Sequence, residues 1–334
     1  SNEASRFVKQ IEHELVIHNP LSRLQIQPLV HMPPKIYRSE PSIPNHSELR
    51  KIWSNMHFSA SAVNCFLKCP MMFFYRYGLR LEEKSRAEEE MDSRGIGLIA
   101  HACLETLFRP YIGRTVNRTV TTSMQEKLDD VLSEIIRKEY PGLNTDHGRP
   151  YLERRIMSTL LEQLLKAQAE EPPFRLEGVE KHFSGQFVLP DGTSFQIQGH
   201  IDRIDRLDNG WRIVDYKSGS MLSSDLSIRN MPEEFREDDP FNRKNILWQL
   251  LFYHHLFCLD ETVSPGEVRC GRISLRNPSE GFMEFKESPS ELYRRFRKLL
   301  EGFFMRLTDP ATVFCQTPDE NTCRYCPYAD ICQR

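Results

Sequence analysis

The stretch Arg212–Gly219, RIVDYKSG, decides how this chain reads. Residues that favour a β-strand carry the chain into Asp215, Tyr216 and Lys217, and Ser218-Gly219 then breaks the run. In an extended strand, positions two apart face the same way and lie about 6–7 Å from each other. Asp215 and Lys217 therefore share a face, and Tyr216 turns away. Alone, such a pair reads as a surface ion pair of small worth. Asp202 changes this: it lies one strand earlier in GHIDRID, and the Asn209-Gly210 turn folds the two strands into one hairpin. Two carboxylates brought together repel, and a hard divalent cation such as Mg²⁺ relieves the repulsion through oxygen ligands. Lys217 beside that cation can position a water and offset negative charge in a phosphorane-like transition state. Asp205 is the competing acid, and its opposite parity to Asp202 makes it the weaker candidate.

Working outward, FSGQFVLPDGTSFQIQGHIDRIDRLDNGWRIVDYKSG holds two hairpin signals, Asp191-Gly192 and Asn209-Gly210, between β-favouring segments that begin near Glu177. It reads as an antiparallel meander. Apolar spacings of three and four predict helices over 92–111, 119–139 and 149–169 before it and over 242–258 and 289–307 after it, with further strands at 267–275 and 282–285. The fold class is α/β or α+β: helices flank a mixed β-sheet, preceded by an N-terminal helical block and followed by a cysteine-rich C-terminal tail. Residues 4–18 read as a short helix. Residues 19–57 carry Pro20, Pro28, Pro33, Pro34, Pro41 and Pro44, so 1–57 reads as a helix and a Pro-rich arm or linker. The compact domain is expected over 58–334, where Ser59 or Ser61 can cap a helix and Cys69-Pro70 interrupts it.

The 334 residues are 39% hydrophobic and 27% charged, with a formal net charge of −3. That balance excludes a uniformly basic nucleic-acid binder without excluding a local basic cleft. Arg203, Arg206, Arg212, Arg243, Lys244, Arg272 and Arg276 cluster in the second half, read as part of a mixed surface. No apolar run approaches the roughly 20 residues that span a bilayer, so a soluble cytoplasmic protein is expected. Ser1-Asn2 reads as a cloning remnant, and the chain as a fragment. Nine cysteines in such a chain point to reduced thiols or metal ligands.

His101, in GIGLIAHACLE, shares a helix face with Glu105. A lone helical histidine is ordinarily a packing residue, but Gly95 and Gly97 permit close backbone approach and favour a third metal ligand. In WQLLFYHHL, Gln249 and Tyr253 lie one turn apart and can meet a phosphate or a water, or simply pack. His254 and His255 read as packing or surface residues, and His200 receives no role.

In order, GIGLIAH, GHIDRID, IVDYKSG and QLLFY resemble the RecB-like branch of the PD-(D/E)XK nucleases, and within it the nuclease domain of AddB-type helicase–nuclease subunits. The resemblance covers most of the chain from Phe58 onward. It implies a restriction-endonuclease-like core and an Mg²⁺- or Mn²⁺-dependent deoxyribonuclease, read as an exonuclease of recombination and repair. His101, Asp202, Asp215 and the Tyr216 carbonyl are the implied metal ligands, Lys217 the catalytic lysine, and Gln249 and Tyr253 the supporting pair. DNA is the implied substrate. The chain carries no GxxxxGK[ST] motif, so the implied helicase is a partner protein or a further region. The other readings are an idle nuclease-fold module that binds DNA or scaffolds, and a zinc-binding interaction domain.

CRYCPYADIC places Cys323, Cys326 and Cys332 in a C-x2-C-x5-C array that needs a fourth ligand. The resemblance implies a [4Fe-4S] cluster completed by Cys69, with zinc as the alternative occupant and Cys65 as the rival ligand. Cys103, Cys258, Cys270 and Cys315 are then spare, buried thiols.

Overall fold

The computed structural model describes residues 42–82, 93–217, 226–260 and 262–334. The helix expected over 4–18, most of the Pro-rich arm, and Ser218-Gly219 lie outside the described residues. The folded body starts ahead of Phe58, where sequence reasoning put its boundary. Strand β1 (Ser42–Pro44) pairs antiparallel with Val313–Cys315, and helix α1 (Ser47–Ser54) buries Leu49 and Trp53. Prolines rule out helix here, but a short edge strand tolerates them. Asn45 anchors the junction: its amide donates to the Leu307 and Asp309 carbonyls at 2.8 and 2.9 Å.

After β2 (His57–Phe58), Ser59 caps α2 (Ala60–Lys68) by accepting the Ala62 N–H at 3.2 Å. Cys69 then adopts extended backbone and Pro70 opens a short new helical turn, so Cys69-Pro70 breaks the helix as its chemistry dictates. Helices α3 (Ser93–Phe108), α4 (Arg118–Glu139) and α5 (Gly148–Ala169) precede the long strands β4 (Phe174–Val188) and β5 (Ser194–Leu207), with a short β3 (Thr115–Val116) pairing β4. Strand β6 (Gly210–Lys217) closes an antiparallel hairpin with β5. The turn residues are Asp208 and Asn209, and Gly210 opens the strand at φ 137°, where a side chain would meet the Glu267 carbonyl oxygen at 2.2 Å.

Helix α6 (Asn245–Phe257) leads to β7 (Val268–Ser274), which runs parallel to β6 and pairs with β8 (Phe282–Glu284). The chain continues through α7 (Pro289–Thr308), β9 (Val313–Cys315) and two short helices, α8 (Glu320–Arg324) and α9 (Ala329–Cys332). The sheet order is β3-β4-β5-β6-β7-β8, with β2 parallel to β5. This is the mixed, helix-flanked sheet of a restriction-endonuclease-like core. Alternation along β6 shows both faces covered: Ile213 joins a core with Phe195, Trp248 and Phe304, while Val214 and Tyr216 join one with Leu104, Leu128 and Leu161. No described helix is long and apolar enough to cross a membrane.

Candidate active site

Strand register gathers the acids. Strands β4 and β5 pair Val179 with Arg203 and Lys181 with Ile201, which sets Glu180 opposite Asp202. The β5–β6 ladder ends at the pair Arg203–Val214, so Asp215 is the next residue opposite Asp202, where the strands part. Three carboxylates thus lie at one level across three strands. Helix α3 adds His101. Its Nε2 lies 3.0 Å from the Tyr216 carbonyl oxygen, and its Nδ1 lies 3.3 Å from Glu180 and 3.5 Å from Asp202.

Like charges and burial set the electrostatics. Burial, then the Asp215 charge, pushes the Asp202 carboxyl up to about 7. Burial also raises Asp215, which is fully enclosed, against the pull of Lys217, whose Nζ lies 2.9 Å from Oδ1. Neither Asp215 oxygen receives a well-directed hydrogen bond among the described residues. Burial lowers His101, but Glu180, Asp202 and Asp215 outweigh it and bring the imidazole up to about 9. Ligand atoms of His101, Glu180 and Asp202 all lie within 4.8 Å of one another. Buried carboxylates with raised pKa and orphaned oxygens fit a hard divalent cation, which favours oxygen ligands and removes their mutual repulsion.

Glu180 is the site residue that sequence reasoning missed. Its backbone sits at φ 44°, a left-handed conformation uncommon for a side-chain-bearing residue. The signal was present: counting back from the Val188–Ser194 pair at the Asp191-Gly192 turn reaches Glu180 opposite Asp202. Glu105, by contrast, pairs with Arg109 and stays out of the group.

Asp205 occupies the far face of the hairpin. It accepts from Arg203 at 3.0 Å and from Arg212 Nε at 2.8 Å, and Arg203 also donates to the Tyr216 hydroxyl at 2.8 Å. Arg203 and Arg212 are therefore interior residues rather than part of a mixed surface. The Tyr216 backbone N–H donates to Asp202 at 2.8 Å, so this web reaches the site through one residue. On α6, Gln249 donates to the Tyr253 hydroxyl at 2.8 Å, and the Tyr253 ring lies close enough to Gly199 to leave 3.1 Å for a Cβ there. Burial raises the Tyr253 hydroxyl pKa, with Asp215 and Asp202 adding to it. His254 and His255 are buried.

The profile of the PD-(D/E)XK nuclease superfamily matches residues 57–333. The chain belongs to this superfamily. Among curated proteins it is similar to an AddB-type ATP-dependent helicase/deoxyribonuclease chain of Clostridium tetani, at 27% identity over 195 residues. The same-named proteins of Geobacillus kaustophilus and Symbiobacterium thermophilum share 26% over 196 and 30% over 179 residues. These matches cover 51%, 52% and 48% of this chain. The matched region is 15–16% of each relative's length, so the chain spans a small part of them.

This PD-(D/E)XK chain has a second cluster at its C-terminal end. Cys69, Cys323, Cys326 and Cys332 line one cavity together with Tyr75 and Tyr328, and Cys65 does not. The Met72 N–H points to Cys69 Sγ at 3.4 Å. Burial pushes the Cys69 thiol up, opposed by backbone N–H groups of Met72, Thr317 and Met71. Four convergent sulfurs cradled by backbone donors fit a thiolate-bound metal or cluster. Of the remaining cysteines, Cys103, Cys258 and Cys270 are buried as expected, while Cys315 is exposed because it lies in the edge strand β9.

Proposed function

We propose that this chain is the nuclease domain of a helicase–nuclease protein of DNA recombination and repair, hydrolysing phosphodiester bonds as an Mg²⁺- or Mn²⁺-dependent exonuclease in the cytoplasm. The observation that carries the reading is the meeting of His101, Asp202, Asp215 and Lys217 where β5 and β6 part. His101, Glu180, Asp202, Asp215 and the Tyr216 carbonyl are the groups to hold the cation. A divalent ion there supplies Lewis acidity to the phosphate and lowers the pKa of a water. Lys217 keeps its proton, its pKa raised by Asp215 and Asp202 against burial, and so presents a fixed positive charge to the negative charge that develops on phosphorus oxygens. Gln249 and Tyr253, linked by their hydrogen bond, orient the phosphate or the attacking water.

The relatives' printed name supports DNA as substrate and a helicase as partner or adjoining region. The four-cysteine cavity supports a [4Fe-4S] cluster held by Cys69, Cys323, Cys326 and Cys332. The test is cleavage of end-labelled single- and double-stranded DNA with Mg²⁺. The wild-type chain should cut, and Asp215→Ala should lose cutting while retaining DNA binding, because phosphate contacts rather than metal ligands supply most affinity. Binding without cleavage by the wild type would identify an idle module. Stoichiometric zinc without iron in anaerobic protein would replace the cluster with a zinc site.

A further inference from the structure

The carboxylate site is flanked by a pair of metal-ligating side chains that it does not use. His182 on β4 and His200 on β5 are direct partners in the antiparallel ladder, with ring centroids 4.9 Å apart and planes inclined by 57°. Both are exposed to solvent. They lie two positions from Glu180 and Asp202 along the same strands, a separation of at most about 7 Å. Among the described residues, neither ring makes a hydrogen bond or an ion pair; their mutual contact is the interaction they share. Their nitrogens are open to a ligand.

Directly opposed residues of an antiparallel pair hold their Cβ atoms about 4.5–5.5 Å apart, so modest rotations bring two imidazoles onto one ion. Imidazole suits Ni²⁺, Cu²⁺ and Zn²⁺, whereas Mg²⁺ takes oxygen ligands. The two neighbouring sites thus select different ions by ligand chemistry. We propose that His182 and His200 form a two-imidazole site for a borderline divalent transition ion, separate from the carboxylate cluster beside it. The three-residue ligating group found among the described residues is His101, Glu180 and Asp202, so the remaining positions on an ion at the histidine pair are open to water or to a substrate phosphate oxygen. This inference stands whether or not the chain cleaves DNA.

Nickel chloride is the probe, titrated calorimetrically into the anaerobically purified full chain with Mg²⁺ in excess. One equivalent of nickel should bind without thiolate-to-nickel absorption, and the melting temperature should rise. His182→Ala and His200→Ala should each weaken that equivalent by at least about tenfold, since half the protein ligands are gone. His200→Gln, which keeps the polar surface, should do the same. Asp202→Asn should leave nickel binding unchanged. Nickel affinity unaltered in both histidine variants would overturn the proposal. So would its loss in Asp202→Asn, which would assign the ion to the carboxylates.

Discussion

Glu180 shows how one residue couples strain to charge. Holding a side-chain-bearing residue at φ 44° costs on the order of 1 kcal/mol or more, and the packed strands around it must impose the conformation. The strained backbone delivers a carboxylate to within 3.3 Å of His101, beside Asp202. Glu180→Gln keeps the shape and removes the charge. Its expected result is a cleavage rate at limiting Mg²⁺ lower by roughly ten- to a hundredfold, recovering as Mg²⁺ is raised, as for loss of a group that supports a metal site. A Mg²⁺ titration of cleavage with no shift from wild type would remove Glu180 from the site.

Among elements, helix α6 is buried nearly all round, and its polar residues divide between chemistry and packing. Gln249 and Tyr253 pair at the site end. His254 Nε2 donates to the Val268 carbonyl at 3.1 Å and ties the helix to β7. His255 is fully buried, stacks on Tyr293 at 4.8 Å, and has no hydrogen bond on either nitrogen among the described residues. Burial, then the Arg297 charge, brings its pKa down to about 3, and burial brings His254 down to about 4. A histidine whose folded pKa lies below its unfolded value near 6.5 binds its proton more readily when unfolded. Stability is therefore lost as pH falls below about 6.5 and continues to fall until the folded pKa is passed. His255→Phe should preserve the stack and remove the unpaired nitrogens. Urea unfolding should show a gain of about 1–2 kcal/mol at pH 7 and a shallower decline between about pH 6.5 and 4. An unchanged acid slope would place the sensitivity elsewhere.

At the scale of the molecule, the two ends of the described chain are sewn together. Strands β1 and β9 pair, Asn45 binds the carbonyls after α7, and the Tyr328 hydroxyl donates at 2.8 Å to the Leu81 carbonyl, 247 residues earlier. The four-cysteine cavity lies in this seam. A cluster there closes a very long loop, and ligand binding adds directly to folding free energy, so several kcal/mol are at stake. Cys326→Ala should lower the melting temperature of anaerobic protein and expose the C-terminal tail to protease. Cleavage at low temperature should persist, since His101, Asp202, Asp215 and Lys217 lie outside the seam. A melting temperature equal to that of wild type would show that the cysteines are no staple.

What the sequence determined by itself is local and periodic. The Asp-x-Lys face of β6, the turns at Asp191-Gly192 and near Asn209, the break at Cys69-Pro70 and the helices of both layers follow from side-chain alternation, turn chemistry and apolar spacing. These depend on neighbours within a few residues, which a sequence displays. Tertiary structure decided the rest. Trp53 and Asn45 drew residues 42–57 into the body because their partners Phe314, Leu307 and Asp309 lie at the other end of the chain. Arg203 and Arg212 went inside because Asp205 and the rings of Phe174 and Phe108 were there to receive them. Glu180 joined Asp202 through cross-strand register, and His101 reached both from a separate helix. Such contacts bring together groups far apart in sequence, and only packing of the whole sheet and its helices sets their distances.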